Sequence, residues 1–130
     1  MAANQAQTWD NYRNNQRVVL QLPLSIVVAN NLRSLLFGGP SIEGRTNDVS
    51  MTGMLITTQA ALPQKAGIRL TVNMGIGENE GAVQLRGEVI WCRPDETGKE
   101  YRAGIRLYEK PRAEMKRWLA FVAERIRRFG

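Results

Sequence analysis

The sequence contains no histidine, and its one cysteine, Cys92, has no second cysteine with which to form a disulfide. Without histidine the chain lacks the commonest metal ligand and the usual general base of enzymes. A zinc site, a Ser-His-Asp triad, a Cys-His nucleophile and a disulfide framework are therefore all excluded. These absences predict a protein that is not an enzyme and that needs neither a metal nor a cofactor.

Long hydrophobic runs are also missing. The longest, VVLQLPLSIVVA, is interrupted by Gln21, Pro23 and Ser25, and it is too short to span a bilayer. The start, MAANQAQTWDNY, lacks the basic and apolar regions of a signal peptide. We therefore expect no membrane insertion and a cytoplasmic location, either as a separate protein or as a cytoplasmic module of a larger one.

Positive charge is present in excess, and it is concentrated at one end of the chain. The formal net charge is +6, and residues 101–130 hold nine basic and three acidic side chains, whereas residues 1–100 are balanced. A basic end suits an acidic partner such as a nucleotide, a nucleic acid, an acidic protein surface or a lipid headgroup. The alternative is a solvated helix face that keeps the protein soluble.

Alternation of apolar and polar residues predicts six short strands after a flexible polar tail at residues 1–12. The strands are expected at about 20–28, 44–49, 54–58, 67–75, 82–92 and 101–107. In the fifth strand, Val83, Leu85, Val89 and Trp91 are expected on one face, with a bend or bulge at Gly87. The segment 29–41 is expected to carry a short helical turn, and 75–81 a hairpin connection.

After Pro111 the apolar period changes from two to that of a helix. Met115, Trp118, Leu119, Val122 and Ile126 form one stripe of about four helical turns. Six strands followed by one helix predict a mainly β fold, a six-stranded antiparallel barrel with the C-terminal helix packed against it. A chain of 130 residues is long enough for one such domain.

Two arginines, Arg13 and Arg17, stand four residues apart before the first strand. The chain has 14 arginines, so about 1.5 such pairs are expected by chance. A second pair, Arg102 and Arg106 in RAGIR, is explained most simply as the wet side of a barrel wall. The first pair alone therefore identifies no site.

The stretch NDVSMTG is more specific. Asp48, Ser50 and Gly53 form the pattern D-x-S-x-x-G where one strand turns into the next. The structural alternative is a polar turn in which Asp and Ser bond to nearby backbone and Gly supplies a positive φ.

R-x-x-x-R before the first strand, D-x-S-x-x-G roughly thirty residues later, a barrel and a C-terminal helix together resemble the PilZ domain family over about residues 12–125. The resemblance implies a PilZ-like domain at 13–128, with its barrel at about 17–108 and its helix at about 111–128. PilZ domains are bacterial receptors for cyclic di-GMP, often bound as an intercalated pair of molecules. By this resemblance Arg13, Arg17, Asp48, Ser50 and Gly53 bind the ligand.

The chemistry of these residues suits a dianion that carries two guanines. Arginine can grip a phosphate or the Hoogsteen edge of guanine and can stack on the base. Asp48 can accept hydrogen bonds from the Watson–Crick edge of guanine, and Ser50 can donate or accept. Gly53 permits close approach of the ligand to the backbone.

Further residues are possible ligand contacts, each with a structural alternative. Arg45 and Asn47 flank the second motif, while Arg102, Gly104 and Arg106 lie on one predicted strand. Tyr12 occupies a position that, in the family, influences how many ligand molecules bind. Trp91 and Trp118 are expected in the core, and Cys92 is expected to be a passive thiol.

The resemblance implies a receptor in which cyclic di-GMP orders the N-terminal arm against the barrel and switches a surface for an unidentified protein partner. Regulated processes such as motility, biofilm formation, polysaccharide synthesis, adhesion or transcription fit equally, as do one or two ligand molecules per site. One alternative is a PilZ-like interaction module without nucleotide binding. The other is a barrel that binds single-stranded nucleic acid, which is disfavoured because Tyr101 is the only obvious exposed strand aromatic.

Overall fold

The computed structural model of the protein describes residues 16–29, 39–75 and 81–129, which form seven strands and a C-terminal helix. The elements are β1 (Val18–Val19), β2 (Pro23–Val28), β3 (Ile42–Val49), β4 (Gly53–Thr58), β5 (Gly67–Asn73), β6 (Ala82–Pro94), β7 (Tyr101–Leu107) and α1 (Arg112–Phe129). The predicted tail at 1–12 and the apolar residues of the predicted turn within 29–41 lie outside the described residues.

The strands form one antiparallel sheet in the order β1-β3-β2-β5-β6-β7-β4. Because β3 also pairs with β4, strands β2 to β7 close into a barrel of six strands. The two-residue strand β1 is an addition that pairs with the end of β3. The predicted six-stranded antiparallel barrel with a C-terminal helix is therefore confirmed, with one extra short strand.

The core consists of the alternate side chains that point into the barrel, closed on one side by α1. Fully buried examples are Ile26, Leu70, Val83 and Ile56. On the helix, Met115, Trp118, Phe121 and Val122 are buried, and α1 packs against β6 and β1. No helix in the described ranges is both long and apolar enough to cross a membrane.

The predicted helical stripe is correct for Met115, Trp118 and Val122 but wrong for Leu119. Leu119 is 37% exposed, whereas Phe121 is only 8% exposed and stacks on Trp118 with ring centroids 5.9 Å apart. The buried face of the helix is therefore rotated toward Phe121 relative to the stripe expected from sequence.

The predicted first strand at 20–28 begins only at Pro23, as β2, and residues 20–22 separate it from β1, which lies before the predicted range. The cause is Thr46 on β3, which is fully buried. Its hydroxyl accepts a hydrogen bond from the Leu22 N–H at 2.8 Å and donates to the carbonyl of Leu20. Pro23 opens β2, a strand position where its missing N–H is tolerated.

Strand β6 contains a bulge at Ile90, whereas a bend or bulge was predicted at Gly87. Gly87 is in regular register with Ile68 and Leu107, while the pairing with β7 shifts between Val89 and Trp91. One extra residue reverses the alternation, because side chains on a strand change face with a period of two. Trp91 is consequently on the outer face opposite Gly104, and its expected place in the core is wrong.

Candidate functional site

The two sequence motifs meet at the end of β3. Arg17 immediately precedes β1, which lies beside β3 with Val19 opposite Asp48. This register brings the Arg17 Nη1 atom within 2.6 Å of the Asp48 Oδ1 atom, although the residues are 31 positions apart in sequence. Arg13 and Tyr12 lie outside the described residues, so their contacts with this pair stay predictions.

Ser50 and Gly53 form the turn between β3 and β4. The Ser50 N–H donates to the Gly53 carbonyl at 2.8 Å, and the Gly53 N–H donates to Ser50 Oγ at 3.1 Å. Ser50 is only 2% exposed. A polar turn, as in the structural alternative, is therefore present, and these two residues fix the backbone beside Asp48. The positive φ expected at Gly53 is wrong, because its backbone is not in the left-handed region.

Gly53 also allows β4 to approach β7 closely. A Cβ atom on Gly53 would lie 2.5 Å from the Ile105 carbonyl oxygen. Any other residue would thus force the two strands apart at the point where they border Asp48. The glycine is required by the barrel itself, whether or not a ligand also approaches it.

An open cleft of about 570 Å³ lies on the outer face of the barrel beside the Arg17–Asp48 pair. This volume is in the range of small-molecule sites. The side chains and backbone that line it belong to the end of β3, the turn after it, β4, the bulge of β6, and β7. They are Arg17, Asp48, Ser50, Thr52, Gly53, Met54, Leu55, Ile90, Trp91, Gly104, Ile105 and Arg106.

Trp91 forms an aromatic wall of this cleft. Its indole lies against Gly104, where a Cβ atom would be 2.4 Å from the indole Nε1 atom. The guanidinium of Arg93 lies 4.4 Å from the centroid of the ring, a cation–π contact. Simple alternation along β6 predicts a core position for Trp91, and only the Ile90 bulge brings it to the outside.

Of the RAGIR residues, Gly104, Ile105 and Arg106 line the cleft and Arg102 does not. Arg106 is bound to Glu88 of β6, with its Nη2 atom 2.8 Å from Glu88 Oε1. Arg102 is exposed on the same outer face, opposite Thr57 and Arg93. The pair therefore occupies the wet side of the barrel wall, as the structural alternative predicted, but one member borders the cleft.

Arg45 and Asn47 bind other side chains on the outer face and do not line the cleft. Arg45 makes two hydrogen bonds to the carboxylate of Glu100, at 3.2 and 3.3 Å. The Asn47 Oδ1 atom accepts a hydrogen bond from the hydroxyl of Thr57 at 2.8 Å. Their proposed role as ligand contacts would require these interactions to open.

The hairpin between β6 and β7 holds Glu100 toward Arg45. Asp95 binds the Thr97 hydroxyl at 2.7 Å and the N–H groups of Thr97 and Gly98 at 3.0 Å, and its own N–H donates to the Glu100 carbonyl. The Thr97 hydroxyl is the main reason why the pKa of Asp95 is lowered from its usual range. The turn is thereby rigid where Glu100 leaves it.

The cleft combines two arginine cations, one carboxylate and an aromatic surface. Arg17 donates a hydrogen bond to Asp48 Oδ1. The carboxylate has further lone pairs that can accept hydrogen bonds from a ligand. Side chains of Arg17 and Arg106 are 56% and 63% exposed, so each can turn toward a bound anion. Such a site suits a ligand that is anionic, planar and rich in hydrogen-bond donors.

A closed barrel with a cationic, aromatic-walled cleft on its outer face defines a binding module. A family model described as the PilZ domain matches residues 11–124, and the chain belongs to the PilZ domain family. The resemblance noted from the two motifs is thereby confirmed. PilZ domains are regulatory binding modules, and the family includes receptors for cyclic di-GMP.

Three solved structures of low sequence identity share the fold. The inhibitor of motility MotI/DgrA of Bacillus subtilis is 14% identical, with a TM-score of 0.64 over 86% of this chain. This chain spans about half of that protein, 48% of its length. No curated protein matches the sequence closely enough to count as a relative.

The other two structures are PilZ domains of similar size. The PilZ domain of CeSA from a cellulose-synthesizing bacterium is 15% identical, with a TM-score of 0.57 over 85% of this chain and 97% of that one. The PilZ domain of YcgR from Escherichia coli, solved with c-di-GMP, is 17% identical, with a TM-score of 0.56 over 87% and 92%. At these identities the likeness establishes the fold.

Proposed function

We propose that the protein is a bacterial cytoplasmic receptor for cyclic di-GMP that binds the dinucleotide in the cleft between Asp48 and Trp91. The observation that carries the proposal is the 2.6 Å contact of Arg17 with Asp48 at the edge of that cleft. It joins one residue from each family motif beside an aromatic wall. The cyclic di-GMP bound to the YcgR PilZ domain supports the same ligand class for this fold.

Each side chain of the cleft has a chemical task in this proposal. Arg17, together with Arg13 before it, grips a phosphate or the Hoogsteen edge of a guanine with its planar fork. The free lone pairs of Asp48 accept from the Watson–Crick edge of the same base. The half-buried indole of Trp91 contacts a second planar group, as aromatic side chains do with bases.

Binding requires the ion pairs at the cleft to be shared or exchanged. Arg17 and Arg106 already have carboxylate partners, Asp48 and Glu88. A dianion that binds these two arginines replaces one negatively charged partner by another. The arginines therefore lose little of their solvation on binding. The N-terminal arm that carries Arg13 and Arg17 would then order on the ligand and switch a surface for a downstream protein partner.

Titration calorimetry tests the ligand assignment. Wild-type protein is titrated with cyclic di-GMP, cyclic di-AMP and GTP, and the first is expected to bind at micromolar concentration or below. Arg17→Ala and Asp48→Ala each remove a charged contact and should weaken binding by at least about tenfold, since such bonds contribute about 1.5–3 kcal/mol. Lys116→Ala, an exposed cation on α1 away from the cleft lining, is the control and should bind like wild type.

Three results would contradict the proposal in different ways. Failure of the folded wild-type protein to bind cyclic di-GMP would favour the interaction module without nucleotide binding. Tight binding that is unchanged in Arg17→Ala and Asp48→Ala would keep the ligand but reject this cleft. Equal affinity for all three nucleotides would reject guanine recognition by Asp48.

A further inference from the structure

Glu88 on β6 carries a negative charge that acts on the cleft without bordering it. It stands directly opposite Arg106 of β7 in the register, and its Oε1 atom lies 2.8 Å from the Arg106 Nη2 atom. Arg106 lines the cleft, whereas Glu88 does not. Glu88 can therefore act on a bound ligand through the charge and the position of Arg106, but not as a direct contact.

The two ion pairs at the cleft differ in what their carboxylates can do. Asp48 lines the cleft beside Arg17, so it can both neutralise Arg17 and accept hydrogen bonds from a ligand. Glu88 neutralises Arg106 and offers the ligand no contact. Of the two carboxylates, Glu88 is thus the one whose charge opposes an anionic ligand without a compensating hydrogen bond.

Positive and negative charges around the cleft are balanced. Among the described residues that line it, the ionised side chains are Arg17, Arg106 and Asp48. Glu88 adds a second negative charge next to them, so a dianionic ligand meets two cations that are already matched by two carboxylates. Loss of the charge on Glu88 would leave a net positive site, which attracts an anion more strongly.

The Arg106 side chain can turn from Glu88 to a ligand. The side chains of the pair are 63% and 25% exposed, and an exposed ion pair of this kind contributes little to stability. Arg86 lies two residues before Glu88 on the same face of β6, so the carboxylate keeps a cation nearby when Arg106 turns away. The ligand and Glu88 can therefore compete for one guanidinium group.

We propose that Glu88 restrains the affinity of the cleft for its anionic ligand, because its carboxylate competes with the ligand for Arg106. The inference rests on the proposed binding of cyclic di-GMP in the cleft. It adds that the charge of Glu88 raises the ligand concentration at which the receptor responds. The effect belongs to the charge alone, since a glutamine at this position would still accept a hydrogen bond from Arg106.

Titration calorimetry with cyclic di-GMP compares the wild-type chain with Glu88→Gln and with a matched control, Glu114→Gln. Glu114 pairs with Arg117 on α1, outside the cleft lining, so both substitutions remove one carboxylate from an exposed ion pair. At low salt, Glu88→Gln should lower the Kd about two- to fivefold, the range expected for an exposed ion pair. Glu114→Gln should leave the Kd within about 1.5-fold of wild type, because exposed charges away from the site are screened.

The dependence on salt separates an effect of charge from an effect of position. The gain in affinity of Glu88→Gln should be largely lost when NaCl rises from about 50 to about 500 mM, because salt screens exposed charges. A gain that comes from a changed position of the Arg106 side chain would persist at high salt. Circular dichroism melting verifies that each variant is folded.

The proposal is overturned if Glu88→Gln binds no more tightly than wild type. Weaker binding would make Glu88 a residue that positions Arg106 for the ligand. A gain that is equal in Glu114→Gln, or that persists at high salt, would also overturn it. Failure of the wild-type protein to bind cyclic di-GMP would overturn the proposed function and this inference together, whereas the other results leave the proposed function intact.

Discussion

Gly104 shows how a single residue shapes the cleft. It is the one position of RAGIR at which a side chain would strike the indole of Trp91, with a Cβ atom 2.4 Å from the indole Nε1 atom. Gly104 therefore leaves the space that the indole ring needs on the barrel wall. Sequence analysis placed Gly104 among possible ligand contacts, and the structure gives it this indirect task.

We predict that Gly104→Ala displaces the indole of Trp91 and weakens cyclic di-GMP binding, at a stability cost of about 1–3 kcal/mol from overpacking. Calorimetry and the shift of tryptophan fluorescence measure the two effects. Gly67→Ala is the matched control, because a Cβ at Gly67 meets nothing within 4 Å, and it should change neither readout. Unchanged binding in Gly104→Ala would mean that Trp91 does not need its present position.

Thr46 positions the segment that leads from Arg17 into the barrel. Its hydroxyl binds the backbone of both Leu20 and Leu22, and this segment connects Arg17 and β1 to the barrel. The residue thus holds the base of the arm beside Asp48 without touching the cleft.

Thr46→Val should lower the free energy of unfolding by about 1–3 kcal/mol, since two part-buried polar groups of the backbone lose their partner. Cyclic di-GMP affinity should fall as well, because Arg17 is no longer held at the cleft. Thr71→Val, on the outer face of β5, is the matched control and should stay within about 0.5 kcal/mol of wild type. Equal melting temperatures of the two variants would contradict the role assigned to Thr46.

At the scale of elements, strand β6 decides what the cleft is made of. Its first half follows the alternation of an inward-facing strand, with Val83, Leu85 and Val89 buried. The bulge at Ile90 then inverts the alternation, so that Trp91 and Arg93 lie on the outer face. One inserted residue therefore supplies the aromatic wall, in keeping with the tendency of bulges to lie beside functional sites.

Helix α1 stabilises the barrel through Trp118, which is fully buried against Phe121. In the part of the chain that the structure describes, the indole N–H of Trp118 has no hydrogen-bond acceptor. The contribution of this side chain is therefore apolar packing and ring stacking.

We expect Trp118→Ala to cost about 3–5 kcal/mol of unfolding free energy, as truncation of a buried aromatic does. Trp118→Phe should cost less than about half as much, because it keeps an aromatic ring and removes a buried donor that has no partner. Urea unfolding of the two variants measures the difference. Similar losses in both would indicate that the indole N–H is bound, for example by an ordered water.

At the scale of the whole molecule, charge and fold act together. The net charge of +6 comes from residues 101–130, which comprise β7, the loop after it and α1. This places Arg106 at the cleft and Lys110 in the loop after β7, so part of the excess positive charge borders the proposed binding site.

Cyclic di-GMP affinity should fall several-fold when NaCl rises from about 50 to about 500 mM, because exposed charges are screened over shorter distances. Arg106→Ala removes one of the exposed cations at the cleft and should reduce this dependence. Calorimetry at several salt concentrations gives both slopes. An affinity independent of salt would show that the arginines contribute hydrogen-bond geometry without long-range attraction.

The sequence by itself determined the class of fold and the residues of two motifs. Alternation in segments such as GIRLTVNMG is a local property, because side chains on a strand change face at every residue, and it is enough to predict strands. The change of period after Pro111 likewise predicted the helix. The family followed from the order and spacing of R-x-x-x-R and D-x-S-x-x-G.

Tertiary structure decided which of these residues are in contact and which already bind a side chain outside the motifs. Arg17 and Asp48 are joined by the pairing of β1 with β3, and Arg45 is held by Glu100, 55 positions away in sequence. Such contacts depend on register and on the bulge at Ile90, which local alternation does not encode. The position of Trp91 in the cleft is the clearest case, because one extra residue in β6 moved it from the core to the surface.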